Sequence, residues 1–513
     1  LARSILALVL VALLLVVGIS EGASDSREVV QASEILAKIE RGEPVEYDDV
    51  IVEGDLYLSS LDLPTERVER TEYEIKFFGL TEEVKVVKSP ITITNSEIHG
   101  NVSFGDTIFL KQVIFGGTVI YFHQEPGLHG KQPIMFSLIA DSQTLFSGYA
   151  SFNGALFNGD ADFTFAKFSG YASFNGALFN GDADFTFAEF SGDADFSGAL
   201  FTRNANFWRA EFSGDASFLR AKFSGHTDFW GAKFNGDADF TYAEFSGHVY
   251  FSEALFNDDA DFTFAEFSSD ADFSEALFND DADFTFAEFS SDADFTGALF
   301  SDKLSSKMNF GSASFGGNAT FVDTQFSQYA DFREARFNNS LNLTHARFDR
   351  LELRWGSIEK HLNCDDTAYM ALIKNYDNLA WFEDADNCLY DYREWRRENS
   401  EFGITKLLDY AALVSCGYGV KPRRPLILGL IMVMVCAVYY RRTKAIKRHE
   451  KEGDHQEANI WDAFYFSMMT FTTVGYGDWY PLDEHRKLVM FEGIVGWLTL
   501  SLFLVTLANV VIR

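Results

Sequence analysis

Residues Thr472-Thr473-Val474-Gly475-Tyr476-Gly477-Asp478 are the stretch of this 513-residue chain whose types and spacing point most directly to chemistry. That chemistry belongs to the backbone. A run of adjacent carbonyls can replace the water shell of a dehydrated cation, provided successive carbonyls point the same way. Gly475 and Gly477 permit this, because glycine reaches backbone angles closed to other residues. Thr473 adds a hydroxyl at the inner end, and Val474 and Tyr476 are placed to anchor the strand by packing outward. The expected ion site is therefore the backbone of Thr473, Val474, Gly475 and Tyr476.

The elements that must hold this stretch lie on either side of it. Pro425–Tyr440 is a run of 16 residues, or ~24 Å of helix, enough to cross a membrane with help from its ends. Leu488–Ile512 is a second apolar run. Between them come a charged turret, Arg441–Ala458, and a half-crossing helix, Trp461–Thr472, that starts at Asn459 or Ile460. The negative end of its dipole would favour a cation. Trp461, Phe464, Tyr465, Phe466 and Phe471 form an expected aromatic cuff, and Thr472 and Asp478 flank the ion site. Thr499, Thr506 and Asn509 are polar positions that could line the inner pathway. Glu492, an ionisable group in an apolar helix, is expected to pair with Arg486 or with the filter region of a neighbouring copy.

Thr473–Gly477 reads TVGYG, the selectivity-filter sequence of potassium channels, and 421–513 resembles the two-helix pore module of that family. The resemblance implies passive, K⁺-selective conduction, with K⁺ as the permeant ion and no cofactor. It also implies a homotetramer, because one copy supplies a quarter of each carbonyl ring. Gly493 and Gly496 lie where the family carries a bending glycine in its inner helix. No helix carries Arg or Lys at every third position, so a voltage sensor is not expected. Only four residues follow Asn509, and gating input is expected from the rest of the chain or from the bilayer.

The rest of the chain is a rod. Phe is far above ordinary usage, at 54, and Pro stands at 8. From Phe152 to Phe300, 28 phenylalanines follow at alternating steps of five and six. The unit reads Ala-Asp-Phe-Thr-Phe-Ala-Glu-Phe-Ser-Ser-Asp, as at Ala260–Asp270. Ile93, Ile98, Phe104, Phe109, Phe115 and Ile120 carry the same beat earlier, before a loop at 121–145 marked by Pro126, Gly127, Gly130 and Pro133. After an insertion at Ser301–Asn309 it resumes from Phe310 to Phe348. Neither helical nor strand periodicity produces such steps; a solenoid in which every side points one Phe inward does. The pattern resembles the pentapeptide-repeat family, with one extra residue in every second unit. That implies a right-handed, four-sided parallel β-helix of 22 residues per coil with bulged corners on opposite sides.

Charge separates the two parts. The chain carries −34 overall, and Asp141–Phe300 holds 28 acidic against 6 basic residues. This argues against nucleic acid as a partner. Members of the repeat family mimic DNA charge, a use that a membrane-tethered rod makes improbable. The recurring Asp-Ala-Asp triplets (Asp182/Asp184, Asp193/Asp195, Asp237/Asp239, Asp281/Asp283) would align in ladders, either a solvated acidic coat or a cation-binding ladder. His226 and His248 lack Asp or Ser partners at any regular spacing, so no catalytic constellation and no enzymatic activity are indicated. Cys364, Cys388, Cys416 and Cys436 show no metal-ligand spacing, although Cys364 and Cys388 could pair outside the cell.

Two stretches bear on the membrane. Ile5–Val17, behind Arg3 and ahead of small residues to Ala23, has the layout of a signal peptide, with an uncleaved anchor as the alternative for 1–23. Ser33–Arg41 reads as a capping helix. Helices over Asp365–Glu398 and an amphipathic, interfacial helix at Ile404–Ser415 fill 356–420. A cleaved signal places the rod outside and the filter loop inside, in line with the basic turret and the positive-inside rule, yet potassium channels are filled from outside. An inverted pore, an extra crossing within Ile404–Val420, and a cytoplasmic rod all remain open. The expectation is a mainly β chain: a parallel β-helix over 45–355, a helical linker over 356–420, and a two-helix pore domain over 421–513 (425–440, 460–478 and 488–512) in a cell membrane. The alternative is a membrane-anchored surface protein whose β-helix is the working part.

Overall fold

The computed structural model describes residues 27–68, 70, 75–76, 80–115, 144–301, 303, 306–326, 329–401, 403–448, 458–475 and 477–511. The apolar run at 5–17, most of the loop at 121–145 and Tyr476 lie outside the described residues. The chain divides into two units, Leu1–Asp365 and Asp366–Arg513.

The first unit is a β-solenoid. Its strands, mostly two residues long, form four parallel sheets of 11, 12, 13 and 12 strands, apart from one antiparallel edge pair, Thr65–Arg67 with Glu83–Val87. Through the phenylalanine beat each strand pairs with the one 22 residues later, as Phe157 with Phe179 and Phe168 with Phe190. The inserted segments are accommodated as longer coils, so that Val113 pairs with Ala161 and Ala282 with Met308. Strand pairing begins at Glu28–Gln31 and ends at Leu362–Asn363, wider than 45–355. The first coils escape the Phe pattern because Val30, Val45, Val50, Val52 and Leu56 fill the same inward positions. Helix α1 (Ala32–Arg41) buries Ala32, Ile35 and Ile39 and ends at Gly42 in the left-handed region.

Every Phe of the beat from Phe152 to Phe300 is at most 3% exposed. Within each coil neighbouring rings meet edge to face, as Phe163 and Phe174 at 5.3 Å and 83°. Between coils they stack nearly parallel, as Phe163 on Phe185 at 4.9 Å, the distance that the strand spacing imposes. Each five-residue step, rather than the longer step of six, turns on a residue with positive φ. In the turn Phe163–Ala166, the Ala166 N–H donates to the Phe163 carbonyl at 2.9 Å and Phe165 has φ 57°, the third-position geometry of a type II turn. Glycine takes this place at Gly154 and Gly176, but Phe187, Tyr242, Phe264 and Phe286 take it elsewhere. For a residue with a Cβ that conformation costs ~1–2 kcal/mol. Stacking between successive coils offsets it: Tyr242 on Phe264 and Phe264 on Phe286, each at 4.8 Å.

The Asp-Ala-Asp triplets serve the backbone. The second Asp caps its own turn: Asp184, Asp239 and Asp283 accept the N–H two residues ahead at 2.8–2.9 Å. The first reaches the next coil: Asp182 and Asp193 accept the N–H of the residue 22 positions later at 3.1 Å. Among the described residues, two exposed or half-buried triplets, Asp237/Asp258/Asp259 and Asp259/Asp280/Asp281, bring carboxylate oxygens within 4.8 Å of one another.

These carboxylates make an acid-side prediction. Burial raises Asp106, Asp184 and Asp228 above the usual carboxylate range, and burial followed by neighbouring carboxylates raises Asp237 and Asp259. Side-chain hydrogen bonds hold Glu97, Asp270 and Asp280 below it. A raised carboxylate binds protons in the folded chain that the unfolded chain does not, so stability rises as pH falls through the raised values. The lowered groups lose their contribution only below the unfolded value, near ~4. The melting temperature of the solenoid, followed by circular dichroism, should therefore rise as the pH falls from neutral toward the ordinary carboxylate range of ~4. A steady fall over that interval would contradict the assignment.

The second unit is helical. Helices α2 (Asp366–Asn378) and α3 (Phe382–Glu398) pack on each other, followed by α4 (Ile404–Cys416), α5 (Arg423–Thr443), α6 (Ile460–Phe471) and α7 (Arg486–Val511). Among the described residues two helices are long and apolar enough to cross a membrane, Arg423–Thr443 and Asp483–Val510. Helix α4 has 13 residues and stops at Gly417 in the left-handed region. At ~1.5 Å per residue it falls short of a ~30 Å hydrocarbon core, which argues against an extra crossing there. Its Ile404, Leu407, Leu408 and Val414 are exposed, leaving an apolar face suited to a membrane interface.

Candidate functional site

The site is built by helix α6. Asn459 caps it, accepting the N–H groups of Trp461 and Asp462 at 2.8 and 3.0 Å, while the Asp462 carboxylate accepts the Asn459 N–H at 2.9 Å. This reciprocal box fixes the helix start. The other end is closed by Phe471, whose ring lies against Gly429 of α5 and whose carbonyl lies against Gly496 of α7. Thr472 follows immediately, its hydroxyl donating back to the Met468 carbonyl at 2.8 Å.

From there the backbone is left-handed at three of the described residues. Thr473, Gly475 and Gly477 have φ of 57°, 55° and 74°, while Val474 between the first two does not lie in the left-handed region. Beyond the stretch, Trp479–Pro481 returns as a strand antiparallel to Ile446–Arg448, so the turret and the segment after Asp478 form one small sheet.

Several expected packing roles are not met within one chain. Val474 is 56% exposed rather than anchored, and Trp461 is 75% exposed. Of the aromatic cuff, Phe466 and Phe471 are buried, Phe466 edge-on to Tyr440 at 5.3 Å, whereas Tyr465 is exposed. Thr506 is wholly buried and its hydroxyl donates to the Phe503 carbonyl of its own helix at 2.9 Å, so it faces no pathway. Helix α7 runs unbroken through Gly493 and Gly496. Within the chain Glu492 does not pair with Arg486: Arg486 bonds Asp483 at 2.8 Å, and Glu492 accepts from Tyr440 at 2.5 Å and contacts Ser467.

The basic residues at the start of α5 are also engaged. Lys421 donates to Asn387 at 3.2 Å, and Arg424 donates to Tyr390 at 3.0 Å and to the Leu413 carbonyl. Arg397, with 5% of its side chain exposed, contacts Glu394, Tyr418 and Asp409. Burial, then the Asp409 carboxylate, pushes the Tyr418 hydroxyl up to about 12. Side chains of α3 and a backbone carbonyl of α4 thus hold the start of α5, a role that residue types alone conceal.

One histidine reading is corrected. His248 does have Ser and Asp neighbours: coil stacking brings Ser269 to 3.3 Å and Asp270 to 3.5 Å. Both approach the same ring nitrogen, Nδ1. A nucleophile and an orienting acid must use opposite nitrogens, so the cluster is not a catalytic triad. Cys364, Cys388, Cys416 and Cys436 are all free thiols.

Residues 426–513 match the family model for ion channels. Residues 142–299 match, in five overlapping stretches, the family model for pentapeptide repeats. No curated protein and no solved structure matches the chain. One chain thus carries a solenoid that matches pentapeptide repeats and a two-helix segment that matches ion channels.

Proposed function

We propose that this protein is a potassium-selective channel in a cell membrane, conducting passively through a pore formed by four copies of Thr473–Gly477. The observation that carries the reading is the left-handed backbone at Thr473, Gly475 and Gly477. Such alternation is what successive carbonyls need in order to face one ion, and it sits between a capped half-crossing helix and a spanning helix. The exposure of Val474 and Trp461 supports an assembly in which neighbouring copies supply the missing contacts. K⁺ is the permeant ion and no cofactor is required. Gly493 and Gly496 remain the proposed bending points of the inner helix, and the acidic solenoid is an accessory domain.

Purified protein in K⁺-loaded liposomes should release K⁺ at a rate well above Na⁺. Gly475→Ala should bring that rate to background, because its φ of 55° is costly for any residue with a Cβ. Wild-type protein without K⁺ flux would refute the channel and leave a membrane-anchored solenoid.

A further inference from the structure

Glu492, Ser467 and Tyr440 are each 0% exposed and come from three different helices: α7, the half-crossing α6, and α5. A carboxyl group among apolar spanning helices is costly unless its hydrogen bonds are complete. Here the geometry allows the protons to be counted. Tyr440 donates to Glu492 Oε2 at 2.5 Å. Ser467 Oγ lies within hydrogen-bond reach of Glu492 Oε1 and, at 3.0 Å, of the Val433 carbonyl in α5.

A serine hydroxyl owns one proton, a carbonyl owns none, and an ionised carboxylate only accepts. Ser467 cannot donate to both neighbours. Both contacts are hydrogen bonds only when Glu492 carries a proton on Oε1 and donates it to Ser467 Oγ, which in turn donates to Val433. The Cys436 thiol, which also faces the carboxyl group, brings its own proton and leaves this count unchanged.

We propose that Glu492 is a neutral carboxylic acid and a positioning residue for the filter. It relays one continuous chain of hydrogen bonds, Tyr440 to Glu492 to Ser467 to Val433, which ties α6 to both spanning helices. Ser467 lies little more than one turn before Thr472, so this chain sets where the filter begins. The filter role rests on the channel reading above; the protonation state does not.

The count makes an unusual demand on substitution. An amide accepts on its oxygen and donates from its nitrogen, so Glu492→Gln reproduces the relay, whereas Glu492→Ala removes it and Glu492→Asp is too short to span it. In liposomes, E492Q should keep a K⁺-over-Na⁺ flux ratio within about twofold of wild type, and E492A and Ser467→Ala should lower it at least tenfold. Wild-type selectivity in E492A, or equal loss in E492Q and E492A, would overturn the proposal. An infrared spectrum of the full-length protein at neutral pH supplies a readout independent of conduction. The carbonyl band of a protonated carboxyl group should be present in wild type and missing in E492Q. An unchanged band refutes the neutral acid even if the protein carries no K⁺, and a band lost in E492Q sustains it even then.

Discussion

Gly496→Ala should stop K⁺ flux while leaving the solenoid folded. Gly496 lies inside α7, and a Cβ built on it would stand 2.2 Å from the Phe471 carbonyl oxygen and 2.9 Å from the Phe471 Cα. These are backbone atoms, so no rotamer change relieves the clash. The inner helix and the end of α6 must move apart where Thr472 begins. Overpacking of this kind costs ~1–3 kcal/mol where the surroundings can yield, and here they yield only by displacing Phe471 and the proposed filter that follows it. Gly429→Ala presses instead on the Phe471 ring, 2.8 Å from Cζ, and a ring can tilt, so it should be milder. Gly493→Ala meets only the Thr470 carbonyl at 3.7 Å, an ordinary contact. It should be accommodated, and it stiffens the helix by ~1 kcal/mol of propensity. A changed open probability in G493A would therefore mark bending at that residue, separately from packing. Liposome flux for the three variants, alongside their elution and circular dichroism, checks the ranking. Wild-type flux in G496A would refute the close-packing argument.

Much of this architecture was legible because periodicity survives translation into structure. Steps of five and six call for an object that turns a corner at each Phe, and the resemblance to the pentapeptide-repeat family supplied the count of four sides that the four sheets then show. The left-handed turns at Phe165 and Gly176 fall in the five-residue steps, a backbone feature that the extra residue of the six-residue steps did not announce. The first coils were less legible because Val and Ile occupy inward positions there, and aliphatic residues carry no distinctive beat. What spacing could not supply was anything depending on register. Asp182 bonding the N–H of Asn204, or His248 meeting Ser269 and Asp270, requires knowing, beyond a coil of 22 residues, which atoms then face each other. Glu492 illustrates the same limit in the helical unit. Its partners, Tyr440 and Ser467, are 52 and 25 residues away, and only helix packing selects them over the nearby Arg486. The stretch Thr473–Gly477 is legible as a motif, yet Val474 is exposed within the chain, and only the proposed assembly would give it contacts.

Phe229→Ala should destabilise the solenoid more than an equivalent change at either end of the stack. Phe229 is 0% exposed and stacks on Phe207 and Phe251 at 4.8 Å on each side, with edge contacts to Phe218 and Phe240 at 5.3 and 5.5 Å. Truncating a buried Phe costs ~3–5 kcal/mol, the upper end where the cavity cannot collapse. Collapse is blocked here, because all four walls are held in register by hydrogen bonds to the coils above and below. In a solenoid each coil contacts only its neighbours, so the loss falls on the interfaces that join the two halves. Urea unfolding should show an earlier midpoint and a broadened or split transition. Phe300 offers the comparison: it has Phe278 at 4.8 Å on one side but Phe326 only at 6.2 Å on the other, so Phe300→Ala should cost less. Phe286→Ala, at 47% exposure on the outer ladder, should cost least. An F286A midpoint as low as that of F229A would mean that the outer ladder, rather than the filled interior, holds the coils together.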